Sequence, residues 1–222
     1  MLMSNVACKR ICVLVAALFL IPCALYAGQA KNVILLIGDG MGVEHIKAAG
    51  HYANGKEGSL FMESLPYSAM VNTCPAYLIG ENEDPAKVPP KVTDSAAAGT
   101  AMATGRKVYN GVISMALPGD GAPIPTLLTE AKAAGKRTGL VTTSSLLDAT
   151  PAVFGAHVKS RKMAKEIADQ YLNVTLPNVL FGGAPGETEL LAPVPAQIAG
   201  YVVMASRADL LSMSGLTNAY FL

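Results

Sequence analysis

The sequence predicts an α/β fold with a mostly parallel central sheet. Three observations carry this. Asn32-Val33-Ile34-Leu35-Leu36-Ile37 is a continuous apolar run, which is how a strand buried on both faces of a parallel sheet reads. It ends at Gly38-Asp39-Gly40-Met41-Gly42 and is followed by helix-like sequence from Val43 to Ala53. Further on, a helical pattern over Pro125–Ala134 leads into a second core strand, Thr138–Thr143, and helix followed by strand at that spacing is the rhythm of a βαβ fold.

Composition bounds the rest. The chain has 222 residues, enough for one large domain or two small ones, with ample apolar material for a core. A formal net charge of +1 argues against a nucleic-acid surface, which would show a basic stripe, yet leaves a substrate's charge open, because the field of a site is local. Lys9 and Arg10 precede the apolar run Ile11–Ala27, which Pro22 interrupts. A basic start, a short apolar stretch and small residues at Leu25-Tyr26-Ala27 or Gly28-Gln29-Ala30 make an export signal. The run is short of the ~20 residues that a spanning helix needs, so no stable membrane anchor is expected. The expected organisation is a signal over residues 1–27, with 30 as the alternative end, and one domain over 31–222; the expected location is periplasmic or extracellular. Cys8, Cys12 and Cys23 would leave with the signal, and Cys74 alone cannot form an intrachain disulfide.

In chain order, Asp39 projects from the end of the first strand, where open α/β sheets bind ligands, and flanking glycines let the backbone turn there. Gly-Asp-Gly is equally an ordinary tight turn. His45 and His51 fall on the helix after it and read as surface or packing residues. Ser68–Thr73 reads as a strand, and the acidic, proline-rich stretch 81–90 as an exposed loop.

Lys91-Val92-Thr93-Asp94-Ser95-Ala96-Ala97-Ala98-Gly99 is a helix start, with Thr or Asp as the N-cap. Ser95 then lies in the first turn, at the positive end of the helix dipole, a place that attracts a phosphate or sulfate dianion. A serine there becomes a nucleophile toward phosphorus if a metal lowers its pKa. The plain alternative is a capped small-residue helix packed on a sheet.

Asn110-Gly111 marks a turn within Val108–Ile113. In the helix over Pro125–Ala134, Leu127, Leu128, Ala131 and Ala134 share a face and Gly135 ends it. Asp148 and Thr150, two apart in an extended loop, would face one way and suit magnesium; the alternative is an N-cap before a helix near Pro151. His157 and Arg161 share a face if that helix persists, and Arg161 suits a two-pronged grip on phosphate. A helix over Met163–Leu172, a strand at Val179–Gly183, an irregular stretch Pro185–Gly200, strand and helix at Tyr201–Met204 and Arg207–Met213, and a terminal strand at 218–222 complete the reading.

Taken together, Gly-Asp-Gly-Met-Gly after an apolar strand, Val-Thr-Asp-Ser-Ala-Ala-Ala-Gly-Thr-Ala, Asp-Ala-Thr-Pro and His-Val-Lys-Ser-Arg resemble the alkaline phosphatase family over about Asn32–Arg161. The resemblance implies a partial three-layer α/β/α fold. It implies phosphate monoester hydrolysis through a phosphoserine, at a site of two zinc ions and one magnesium. Ser95 would be the nucleophile and a metal contact, and Asp39 would bridge magnesium and one zinc. Thr150 would ligate magnesium, with Asp148 on it directly or through water, and Arg161 would hold two phosphate oxygens. Phosphate monoesters and inorganic phosphate would be the ligands, and a homodimer a possible assembly.

The family takes most zinc ligands from the second half of a chain about twice this length, and the three histidines here sit in none of those motifs. The expectation is therefore an N-terminal half, from a truncated or split reading frame, inactive alone and partnered by a complementary C-terminal half. Three other readings stand beside it. A phosphodiesterase or sulfatase of the same superfamily is disfavoured by Asp-Ser-Ala. A serine esterase lacks the Gly-x-Ser-x-Gly elbow. A non-catalytic phosphate-binding protein would keep only the anion site at Ser95.

Overall fold

The computed structural model describes residues 30–77, 91–183, 199–204, 206–213 and 220–221. It forms two units, Met1–Gly38 and Asp39–Leu222. The expected loop at 81–90 lies outside the described residues, as do the export signal and most of the stretch 185–200.

In the first unit, the run at 32–37 is not the buried strand its composition predicts. It is irregular, and Val33, Ile34 and Leu36 are exposed. An apolar run reports a capacity for burial, but a strand also needs a ladder partner, and none of the described residues pairs with it.

The second unit begins with α1 (Val43–Asn54), which ends on Gly55 in the left-handed conformation at φ +74°. A short 3₁₀ turn follows at Phe61–Ser64. The strand expected at Ser68–Thr73 is absent; that stretch is irregular and exposed, with no ladder among the described residues.

α2 (Ser95–Thr104) starts where its cap predicts: the Asp94 carboxylate accepts the Ala97 N–H at 2.9 Å. α3 (Leu127–Ala133) is shorter than its pattern suggests. Leu128 is buried, whereas Leu127, expected on the same face, is 59% exposed. Adjacent helical residues point about 100° apart, so a one-turn contact buries only one of the pair.

Four parallel strands form a sheet in the order β1-β2-β4-β3: β1 (Gly139–Ser145), β2 (Val179–Gly183), β3 (Tyr201–Val202) and β4 (Tyr220–Phe221). Gly139, Leu140 and Val141 pair with Val179, Leu180 and Phe181; the register shifts before Ser145 meets Gly183. Leu140 is 7% exposed while its neighbour Val141 is 73% exposed, so β1 is covered on one face only. A Cβ at Gly182 would stand 2.6 Å from Thr142 Cγ2, and glycine is what allows that approach.

α4 (Ala149–Gly155), α5 (Ala164–Gln170), a π-turn at Tyr171–Thr175 and α6 (Arg207–Ser212) complete the fold. The core joins Ala96 and Ala103 of α2, Leu128 of α3, Val153 of α4 and Ile167 of α5 to Leu140 and Leu180 of the sheet. Among the described residues no helix is long and apolar enough to cross a membrane.

The end of α4 is buried, so its free carbonyls need partners. Three hydroxyls supply them. Ser114 Oγ donates to Val153 O at 2.5 Å, Thr126 Oγ1 to Phe154 O at 2.6 Å, and Thr175 Oγ1 to Gly155 O at 2.8 Å.

Candidate active site

Two helix starts and one turn build the site. Asp39 stands in the glycine turn before α1, where Gly40 has φ +66°. Ser95 opens α2 and donates from Oγ to Asp39 Oδ1 at 3.0 Å. Thr150, in the first turn of α4, donates from Oγ1 to Asp39 Oδ2 at 2.7 Å. Pro151 completes that first turn, where its missing N–H leaves no gap in the helix ladder.

Close packing sets these two helices side by side. A Cβ at Gly99 of α2 would stand 2.9 Å from Val153 Cγ2 of α4. Thr100 of α2 donates to Val112 O at 3.2 Å and accepts the Ser114 N–H at 3.0 Å, while Ser114 caps α4. The hydroxyls of Ser95 and Thr150 therefore reach one carboxylate from two elements of the same core.

Beside them, Arg161 lies between two aspartates. Its Nη2 is 2.7 Å from Asp148 Oδ1, and its Nη1 is 3.4 Å from Asp94 Oδ2. All three side chains are about a third exposed, at 31%, 38% and 27% for Arg161, Asp148 and Asp94. Burial works to raise the Asp148 pKa, but the Ala149 N–H, Arg161 and the Ser144 hydroxyl outweigh it and hold it below 3.8. Burial likewise opposes the charge on Arg161, and the two aspartates more than restore it.

Two local expectations are corrected. Asp148 and Thr150 do not share a side of an extended loop: Asp148 is the N-cap of α4, accepting the Ala149 N–H at 2.7 Å, and Thr150 is helical. His157 and Arg161 do not share a helix face either. α4 stops at Gly155, Ala156 is extended, and Val158 bridges Ile113 in antiparallel fashion. His157 Nδ1 instead lies 2.9 Å from Ser114 O.

Asp94 and the Asn110-Gly111 turn play larger parts than the sequence reading gave them. Besides capping α2, Asp94 accepts the Gly111 N–H at Oδ2, at 2.9 Å. Asn110 Oδ1 accepts the Asp94 N–H at 3.0 Å. The Asn-Gly pair was a legible turn signal; its attachment to Asp94 was not.

Asp39, Ser95 and Thr150 offer one carboxylate and two hydroxyls. Such hard oxygen donors fit magnesium, which keeps several waters. They do not fit zinc, which takes three or four protein ligands and favours nitrogen and sulfur. Among the described residues no three His, Cys, Asp or Glu side chains cluster. The imidazoles are engaged elsewhere: His45 Nδ1 accepts the Gly42 N–H at 3.2 Å, His51 is 3.6 Å from Glu57, and His157 faces Ser114.

A family profile described as alkaline phosphatase matches residues 30–185. Alkaline phosphatase 3 of Bacillus subtilis is 42% identical over 164 residues, covering 70% of this chain and 33% of the relative. The crystal structure of a cold-active alkaline phosphatase from a psychrophilic Shewanella is 32% identical, with a TM-score of 0.64 over 80% of this chain and 42% of that one. A histidine-to-aspartate variant of TAB5 alkaline phosphatase, with magnesium bound in its M3 site, is 27% identical with a TM-score of 0.50 over 59% of this chain and 38% of that one. The chain spans about a third of the length of the curated relatives it matches. With the matched segment enclosing Asp39, Ser95, Thr150 and Arg161, and with the same α/β fold in solved relatives, this chain belongs to the alkaline phosphatase family.

Proposed function

We propose that this chain carries the nucleophile side of a phosphomonoester-hydrolysing site, with Ser95 as the residue that becomes phosphorylated. The convergence of the Ser95 and Thr150 hydroxyls on Asp39 carries the reading. Ser95 Oγ attacks phosphorus, the bond from phosphorus to the ester oxygen breaks, and the alcohol leaves with a proton. Water then cleaves the serine phosphate and releases inorganic phosphate.

The residues suit these steps. The Ser95 hydroxyl donates to Asp39 Oδ1, with its Oγ 3.0 Å away. The start of α2 places partial positive charge where the phosphoryl group would gather negative charge. Arg161 has five N–H donors, and its two aspartate partners leave donors for phosphate oxygens.

Asp39 and Thr150 would hold magnesium together with the Ser95 oxygen, and Asp148 would act through water because its Oδ1 is committed to Arg161. Bound magnesium would neutralise charge developing on the reacting oxygens. Magnesium bound in the M3 site of the related TAB5 variant supports the choice of this ion. No step is assigned to the two zinc ions, which find no donor set among the described residues.

A complementary C-terminal region would bring the nitrogen donors that the described residues lack, and a homodimer would be the further assembly. Residues 9–27 support export to the periplasm or beyond the cell.

The test is incubation of the purified chain with magnesium, zinc and an aryl phosphate at alkaline pH, with mass spectrometry of Ser95 and a turnover assay. Phosphate bound and phosphoryl transferred to Ser95, with negligible turnover, supports the reading. Phosphate binding without transfer supports a non-catalytic phosphate-binding role, and brisk turnover lost on Ser95→Ala removes the need for a second region. A chain that neither binds phosphate nor is modified ends the proposal.

A further inference from the structure

The turn at Asn110-Gly111, with Asn110 exposed and Gly111 half-buried, makes four hydrogen bonds, and three of them reach the residue before the nucleophile or the segment leading to it. Asn110 Nδ2 donates to Val92 O at 2.9 Å while its Oδ1 accepts the Asp94 N–H at 3.0 Å. One amide thus spans Thr93 and fixes the extended backbone that delivers Ser95. Its orientation is unambiguous, because one partner is a carbonyl and the other an N–H. Gly111 donates its N–H to Asp94 Oδ2 at 2.9 Å and accepts the Arg161 N–H at 2.7 Å. Since Arg161 Nη1 returns to Asp94 Oδ2 at 3.4 Å, Asp94, Gly111 and Arg161 close a ring.

We propose that the Asn110-Gly111 turn is a positioning clamp, holding Ser95 and Arg161 in register for one phosphoryl group. Asn110 touches neither reactant; it acts through Asp94 and Val92. This deepens the proposed function and rests on it.

The geometry separates positioning from stability. Asn110 is exposed, so its hydrogen bonds compete with water and add little to folding. Gly111 has φ +84°, and a Cβ there would meet nothing within 4 Å, so Gly111→Ala strains the turn's backbone without a collision. A displaced donor, by contrast, weakens a two-pronged grip strongly.

The experiment measures inorganic phosphate binding by calorimetry in magnesium buffer for the full chain, Asn110→Ala and Gly111→Ala, with Arg161→Ala as the reference for a lost phosphate donor. Thermal midpoints are read alongside. The clamp predicts phosphate binding weakened roughly tenfold in both turn variants, with midpoints within a few degrees of the parent. Parent-like affinity in Asn110→Ala overturns the clamp. Global unfolding of Asn110→Ala also overturns it, in favour of a structural role. If the parent itself binds no phosphate, the proposed function fails, and amide exchange on the parent still judges the clamp. Asp94, Gly111 and Arg161 amides should share one protection level, and free exchange at Asp94 beside protected Gly111 and Arg161 overturns it.

Discussion

Arg161 Nη2 sits 2.7 Å from Asp148 Oδ1, a charge-assisted contact that ties the segment after α4 back to that helix's own N-cap. The consequence is a pH dependence with a definite sign. Asp148 is held below 3.8 in the fold and returns to about that value when unfolded. Its contribution is therefore fully present above pH 3.8 and is lost as pH falls through the lower folded value. With both side chains about a third exposed, the pair contributes at most about 1 kcal/mol. Asp148→Asn keeps an N-cap oxygen, so it isolates the ion pair. Urea melts should show the variant less stable by up to about 1 kcal/mol at pH 7 and the gap closing below pH 3.8. A gap that persists unchanged in acid removes the ion pair as its cause.

Magnesium binding should depend on the residues in a fixed order. Among the described residues Asp39 is the single carboxylate that both hydroxyls contact, so Asp39→Asn should abolish the rise in thermal midpoint that magnesium produces in the parent. At about a hundred times Kd that rise corresponds to about 2.7 kcal/mol. Thr150→Val keeps the shape and removes one oxygen, and should reduce the rise without abolishing it. Titration of magnesium against thermal midpoint reads both, and an undiminished rise in Asp39→Asn rules out this site.

How much of this was legible depended on how local the cause was. The start of α2 was readable because an aspartate before small helix formers caps within three residues, and Asp94 does accept the Ala97 N–H. The meeting of Asp39 with Ser95 and Thr150 spans 56 and 111 positions, and no spacing rule reaches that far; only the order of motifs hinted at it. Where periodicity misled, the assumed element was wrong. Residues two apart face alike in a strand but diverge by about 200° in a helix. Because α4 begins at Ala149, Thr150 turns to Asp39 while Asp148 turns to Arg161. The i,i+4 pairing of His157 with Arg161 failed because the helix stops at Gly155, before His157, and the segment from His157 to Arg161 is not helical. The apolar run at 32–37 shows that hydrophobicity specifies a wish to be buried and not the partner that buries it.

Gly99 sets the spacing of the two helices that carry Ser95 and Thr150. A Cβ there would lie 2.9 Å from Val153 Cγ2, inside contact distance, and both residues are buried. Gly99→Ala gains about 1 kcal/mol of helix propensity and incurs about 1–3 kcal/mol of overpacking. The net expectation is a loss near 1 kcal/mol. Val153→Ala alone leaves a cavity, but in the Gly99→Ala background it relieves the clash. A double-mutant cycle by denaturant unfolding should therefore show a favourable coupling of about 1 kcal/mol. Strict additivity would mean that the helices part freely and that Gly99 does not set their distance.

The hydroxyls at the end of α4 make the last prediction. Val153 O has no helical partner, because the His157 N–H goes to Gln170 Oε1 at 2.8 Å, and Ser114 Oγ takes its place. Ser114→Ala leaves that buried carbonyl unpaired and should cost about 1–3 kcal/mol. Ser114 also holds φ +45°, a left-handed conformation that disfavours a side chain by about 1–2 kcal/mol. Ser114→Gly loses the same hydrogen bond but removes that strain, so it should unfold at higher urea than Ser114→Ala. Thr175→Val keeps its shape, loses its contacts to Gly155 O and Gln170 O, and should fall in the same range as Ser114→Ala. Thr126→Val loses its contact to Phe154 O and also the α3 N-cap, where its hydroxyl accepts the Thr129 N–H at 3.2 Å, and should cost more. If Ser114→Ala proves the milder of the two Ser114 variants, the backbone at that position is unstrained, and the hydrogen bond alone accounts for the serine.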